Sequence, residues 1–335
     1  MKPLLGTNRM TKTRHNDEAV TIVEVSPRDG LPVVCGGASA EEKVDYIHLL
    51  TQAGIKYIES VAFTHPRLIP ETADAEEVMA RLGKKEGVTY IGLVPNEIGC
   101  RRALVSDVDE ILTLIAVSDT FNHLSVGRSR KETINKILPA IFEVTQTHNK
   151  GIRSYLMTAF GCPYEGIVVE EEVIQLFLTL SYMGAREIVL VDSTGMANPK
   201  QVKDLVRKLL ALSEETNLGV HFHNTRGTAI ANCLAAYEAG VRTFYTSIGG
   251  MSGTPYGAME LAFGYWNVPT EDLVHLFEVM GIPTGIDLDQ LLRCVERAET
   301  IAGKPLPGHI LRAGPAWKKM PVPVNVKEVT YRQLQ

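Results

Sequence analysis

The sequence predicts an α/β protein built on a (β/α)8 TIM barrel with a C-terminal helical extension. Three observations predict it. Eight short runs rich in Val, Ile, Leu and Tyr recur along the chain, each followed by a helix-like stretch; strand–helix alternation without hairpin signals means parallel strands joined by crossovers. No Gly-x-Gly-x-x-Gly follows the first run, so the rival, an open doubly wound sheet, lacks its usual phosphate loop. Polar, chemically capable residues also stand at the C-terminal ends of several runs, where a barrel gathers its working groups.

The eight runs occupy residues 19–25, 57–62, 88–94, 110–117, 152–158, 187–192, 218–223 and 242–248. Most are nearly continuously apolar, as strands covered on both faces are. Between them lie helical patterns. One is predicted over 40–53, with Ser39 as its cap, Glu41 and Glu42 in its first turn and Gly54 as its stop. Residues 130–148 carry apolar side chains at helical spacing. A helix over 169–183 opens on a run of glutamates, which suits a positive N-terminus, and stops at Gly184. Pro199 opens the pattern over 199–212, and Gly240 closes the one over 228–239. After the eighth run, Thr270-Glu271-Asp272-Leu273 reads as another helix start. A helix over 288–302 and a Pro-rich stretch over 306–323 read as an accessory element. The expected organisation is an arm over 1–18, a barrel over 19–285, and a tail over 286–335 that packs on the barrel or on a partner subunit.

Composition narrows the function. The chain has 335 residues, 45% of them hydrophobic and 22% charged, an ordinary globular balance that fits one barrel with additions. With 34 Lys+Arg against 39 Asp+Glu the net charge is −5, which gives no footprint for nucleic acid or an acidic membrane surface. No apolar stretch approaches the roughly 20 residues that span a bilayer. Cys35, Cys100, Cys162, Cys233 and Cys294 are odd in number, far apart and without a Cys-x-x-Cys pair. That points to a reducing, cytoplasmic setting, without a disulfide frame or a cysteine zinc site. The basic start (Lys2, Arg9, Lys12, Arg14) lacks the apolar segment of a secretory signal and reads as a frayed arm or a short transit-like leader.

The candidate chemistry begins with His221-Phe222-His223. Residues i and i+2 of a strand share a face, so at the end of a barrel strand both imidazoles reach the interior mouth. They are either a core or surface histidine pair or two donors to a divalent cation. Arg28-Asp29 directly follows the first run. Asp29 is an oxygen donor, and Arg28 is a fixed cation for a carbonyl or enolate oxygen, unless the two form an ordinary turn ion pair. Glu59 and Asp192 are carboxylates interrupting apolar strands, and a buried carboxylate needs a partner. They serve the site or a structural salt bridge. The glycine-rich stretch Gly249-Gly250-Met251-Ser252-Gly253-Thr254-Pro255 after the eighth run suits a loop that closes over a ligand, and Asn267 lies just beyond it.

These segments resemble the 3-hydroxy-3-methylglutaryl-CoA (HMG-CoA) lyase family, within the superfamily of metal-dependent carbon–carbon lyases and Claisen-type synthases. The resemblance runs from about Val23 to about Leu292. It is carried by Glu24-Val25-Ser26-Pro27-Arg28-Asp29-Gly30-Leu31, by Phe63 with Pro66 and Ile69-Pro70, by Gly161-Cys162-Pro163-Tyr164-Glu165-Gly166, by Asp192-Ser193-Thr194-Gly195, by the two histidines with Asn224 and Asn232, and by Asn267-Val268 with the segment from Thr270. The resemblance implies that Asp29, His221, His223 and Asn267 ligate Mg²⁺ or Mn²⁺, that Arg28 sits at a thioester carbonyl, and that Glu59 and Asp192 serve the polar site around it. It implies cleavage of a 3-hydroxy acyl-CoA to acetyl-CoA and a keto acid, for which His221 is the first candidate base. It also implies a small-molecule acyl-CoA or hydroxy-acid partner and a homo-oligomer.

The chain departs from the family in three loops. Thr254 stands where the lyases carry a cysteine linked to proton transfer, and a threonine hydroxyl is a poor acid beside a thiol of pKa about 8.5. Thr254 acting through water, or Cys35, is the substitute proton donor considered. Pro32 replaces a usual Gln. Extra length, with Phe263, Tyr265 and Trp266, separates Pro255 from Asn267. An aldolase or Claisen-type synthase of the same superfamily, and a metal- and ligand-binding barrel without turnover, are the alternative expectations.

Overall fold

In the computed structural model, which describes residues 19–34, 38–213, 215–252 and 266–319, eight parallel strands close into a barrel in sequence order. They are β1 (Thr21–Glu24), β2 (Tyr57–Ala62), β3 (Thr89–Leu93), β4 (Glu110–Ala116), β5 (Gly151–Met157), β6 (Glu187–Asp192), β7 (Asn217–Phe222) and β8 (Thr243–Thr246). Each predicted run holds one strand. The predicted ends differ by up to two residues, because apolar side chains continue into the turns after the ladder bonds stop. β1 pairs with β8 from Thr21↔Thr243 to Glu24↔Thr246, which closes the cylinder.

Two apolar layers result. Outward side chains such as Ile58, Ile111, Leu190 and Val220 pack under the helices, while Val23, Leu112, Leu114 and Val189 fill the cylinder. The register of β2 slips between Glu59 and Val61, where Ser60 is the extra residue. This bulge lets Glu59 and Ala62, three apart, both face inward.

The helix Ala40–Gln52 begins in a full capping box: the Ser39 side chain accepts from the Glu42 N–H, and the Glu42 carboxylate accepts from the Ser39 N–H at 3.0 Å. Helices Glu170–Met183, Pro199–Leu212, Ala229–Ala239 and Leu288–Ala302 lie where the pattern put them. The stretch 130–148 is not one regular helix. A wider turn over Thr133–Ile137, with the Leu138 N–H bonded to the Thr133 carbonyl, separates Arg130–Glu132 from Leu138–Thr147. Pro139 has no N–H to give and its ring crowds the carbonyl four residues back, so the helix widens just before it. Three short helices that the pattern did not reveal, Ala75–Leu82, Glu97–Val105 and Asp119–Val126, complete the crossovers between β2 and β5.

Beyond the barrel, Leu288–Ala302 lies against Ala40–Gln52. The segment around Leu306 presses on Gly249, whose φ is +61°; a Cβ there would stand 2.5 Å from a Leu306 methyl. Thus the turn after β8 needs glycine for its conformation and for its neighbour.

Candidate active site and metal centre

Strand ends and the turns after them position every group at the mouth. After β1 the chain makes one helical turn, Ser26–Asp29, with the Asp29 N–H bonded to the Val25 carbonyl at 2.8 Å. This turn sets Arg28 and Asp29 over the rim. β7 carries His221 inward, and His223 follows on the same face. An antiparallel bridge between His223 and Asn267 brings the Asn267 side chain back beside them. A cavity of about 90 Å³ opens there, lined by Arg28, Asp29, Tyr155, His221 and His223 on its polar side.

The Arg28 guanidinium is held on three sides. Its Nε donates to Glu59 Oε2 at 2.8 Å, its Nη2 donates to the same oxygen, and its Nη1 donates to Asp29 Oδ1 at 2.9 Å. The Tyr155 hydroxyl donates to the other Glu59 oxygen, and its ring stacks on His221 with centroids 5.6 Å apart. Burial works against the Arg28 charge, but Glu59 and Asp29 more than offset it, so the guanidinium stays charged.

The two imidazoles are fully enclosed and neutral. Burial, then His223 and Arg28, hold His221 well below the ordinary histidine range; burial pushes His223 down to about 4 despite Asp29. Their Nε2 atoms face each other at 3.2 Å. Two such atoms are satisfied by one shared proton or one shared cation. Asn267 Nδ2 donates to Asp29 Oδ2 at 2.7 Å and to the Met251 carbonyl at 2.9 Å, while its Oδ1 is buried without a well-aligned hydrogen bond. Asp29, His221 and His223 each offer a donor atom within 4.8 Å of the others. Two neutral imidazoles, a carboxylate and a spare amide oxygen fit a divalent cation, and the absence of thiolate from this set favours a borderline or hard one.

The structure therefore gathers Arg28, Asp29, Glu59, His221, His223 and Asn267. It does not bring Asp192 to the cavity. β6 turns Val191 and Ser193 inward and Asp192 outward, where its carboxylate accepts the Met196 and Ala197 N–H groups at 2.8 and 2.9 Å. Asp192 instead ties down the turn after β6, and burial pushes its carboxyl up to about 6. Thr254 and Cys35 lie outside the described residues. Tyr155 was missed by the sequence reading; its position two residues after Arg153 on an inward-facing strand was the available signal.

A family model described as HMGL-like matches residues 19–297. The chain is 39% identical over 293 residues to the hydroxymethylglutaryl-CoA lyase YngG of Bacillus subtilis, covering 88% of this chain and 96% of that one. It is 33% identical to the (R)-citramalyl-CoA lyase of Chloroflexus aurantiacus, covering 90% and 97%. Among solved structures, an HMG-CoA lyase from Acinetobacter baumannii in complex with coenzyme A and 3-methylmalate superposes with a TM-score of 0.87 at 34% identity, covering 93% of this chain and all of that one. On the match across the whole barrel, the chain belongs to the HMGL-like family and is a carbon–carbon lyase of the acyl-CoA lyase type.

Proposed function

We propose that the protein cleaves a 3-hydroxy acyl-CoA between C2 and C3 to acetyl-CoA and a keto acid, with Mg²⁺ or Mn²⁺. The observation that carries this reading is the convergence of Asp29, His221, His223 and Asn267 beside the clamped Arg28. These four side chains would hold the cation. When bound, the ion supplies Lewis acidity, lowering the pKa of a hydroxyl and offsetting negative oxygen.

The chain's own groups do the rest. Arg28 cannot lose its proton and is fixed by Glu59, so it is pre-arranged to stabilise a thioester enolate oxygen without reorganising. His221, kept neutral by burial, is the base in this reading and takes the hydroxyl proton. One lone pair cannot serve a cation and a proton together, so with His221 as base the groups that would hold the cation are Asp29, His223 and Asn267. The closed packing of Tyr155 under His221 excludes water from the lower side of the site. Asp192 acts from outside the cavity, holding the turn that carries Ser193.

The relatives support two acyl groups, since one is named for hydroxymethylglutaryl-CoA and another for citramalyl-CoA. The test is to offer the protein HMG-CoA, citramalyl-CoA and the matching CoA-free hydroxy acids with either cation, and to follow keto-acid release. Cleavage of a CoA ester that stops on chelation is expected. Turnover only of the free acids would replace the lyase reading with an aldolase, and saturable binding without turnover would leave a binding barrel.

A further inference from the structure

The cavity is divided in two. On the β7 and β1 side stand Arg28, Asp29, His221 and His223. On the β3 to β6 side stand Leu93, Leu114, Met157 and Val191, with Phe121 reaching over from the helix Asp119–Val126. No charged side chain lines that second side among the described residues. Its hydroxyls are mostly committed: Thr64 and Thr72 bond to each other at 2.5 Å, Thr72 also donates to the Ile69 carbonyl at 3.0 Å, and Ser193 accepts the Thr158 N–H at 3.0 Å. Ser125 is the remaining polar group there.

A charged substituent placed on this side would lose water and find no partner, which is prohibitive. An alkyl group would gain. From this we infer that the apolar half is the subsite for a short uncharged branch on the hydroxyl-bearing carbon of the substrate, and that Met157 sets how long that branch can be. This rests on the proposed lyase reading for the identity of the substrate, though not for the existence of the subsite. Met157 is the last residue of β5, directly above Tyr155 on the inner face, and is 9% exposed. Its side chain is unbranched and makes no hydrogen bond, so shortening it opens the chamber without disturbing the charged half. Val191, on the neighbouring strand, is a second wall of the same chamber.

The test compares two ligands that differ only in this branch, 3-hydroxy-3-methylglutarate and its 3-butyl homologue. They are used as free acids in calorimetric binding with Mg²⁺, and as CoA esters in turnover. The native protein should prefer the methyl compound by about 10-fold or more in both measurements. Met157→Ala and, separately, Val191→Ala should each shift the binding ratio toward the butyl compound by about 10-fold, while Met157→Leu, which conserves volume, should leave it in place. Unchanged binding ratios in both alanine variants overturn the subsite, whatever the turnover. Shifted ratios with no cleavage of either ester uphold the subsite and overturn the lyase reading instead.

Discussion

Two arginines stand one above the other inside the barrel, and each is set among the same kinds of partner. In the lower ring Arg153 of β5 lies between Glu110 and Glu187, with the Tyr245 hydroxyl beside it. In the upper ring Arg28 lies between Asp29 and Glu59, with Tyr155 beside it. The tyrosines meet edge to face at 5.6 Å, so the rings are stacked on a common seam. Exposure does not separate them: the arginine side chains are 5% and 11% accessible. Saturation does. Below, Arg186 takes the remaining Glu110 oxygen, Tyr245 donates to Glu187 at 2.5 Å, and Gly219 leaves the room that the Tyr245 ring fills. Above, an amide oxygen is left over, two imidazole nitrogens face each other, and a cavity adjoins. The same kind of ion pair makes a plug in the lower ring, and in the upper ring it forms the wall of a cavity that also holds metal-donor side chains.

Changing each arginine tests that contrast. Arg28→Lys keeps the charge but loses the planar fork that bridges Glu59 and Asp29. We expect kcat for acyl-CoA cleavage to fall by about 10²- to 10³-fold, the scale of losing an aimed oxyanion donor, with the unfolding midpoint nearly unchanged. Arg153→Met should do the reverse. It leaves buried Glu187 without its arginine and Glu110 with Arg186 alone, and denaturant titration should show a loss of about 3–5 kcal/mol, while kcat/KM per folded molecule stays within about threefold of native. If Arg153→Met lost activity while keeping stability, the division of labour between the rings would be wrong.

The upper ring was more legible in the sequence than the lower, for a physical reason. His221 and His223 share a strand-end spacing that puts both on one rim, and the family resemblance adds Asp29 after the first strand. Glu110 and Glu187 begin their strands and Arg153 stands near the start of β5, where a charged residue reads as an exposed end rather than an inward plug. Alternation along β6 could have decided Asp192, since Val189 and Val191 face inward and their neighbours do not; a carboxylate in an apolar run marks burial without telling which side it faces. Glu59 needed the bulge at Ser60 to share the interior with Ala62, and no composition rule announces a bulge. The missed helices Ala75–Leu82, Glu97–Val105 and Asp119–Val126 are only two or three turns long, too short for periodicity to stand out.

A third arrangement, buried carboxylates with no arginine at all, sharpens the comparison further. Behind β1, Glu24 accepts from the Ser26 and Ile248 N–H groups and from the Thr270 hydroxyl, yet burial pushes it up to about 7. Glu271 accepts only the Gly249 N–H, at 3.0 Å, its other oxygen is unpartnered, and burial pushes it up to about 8. The folded chain therefore keeps a proton on Glu271 that the unfolded chain releases near the ordinary value of 4.5. The native state then binds more protons than the unfolded state between those two values, so stability falls as pH rises from about 4.5 through about 8. Glu271→Gln removes the titration and keeps an oxygen for Gly249. Urea titrations of both proteins from pH 5.5 to 8.5 should show the native chain losing about 3 kcal/mol relative to the variant, on the scale of 1.36 kcal/mol per pH unit. Parallel stability curves would show that Glu271 is ionised in the fold, and that hydrogen bonds alone, without an arginine, can hold a carboxylate charged in this layer.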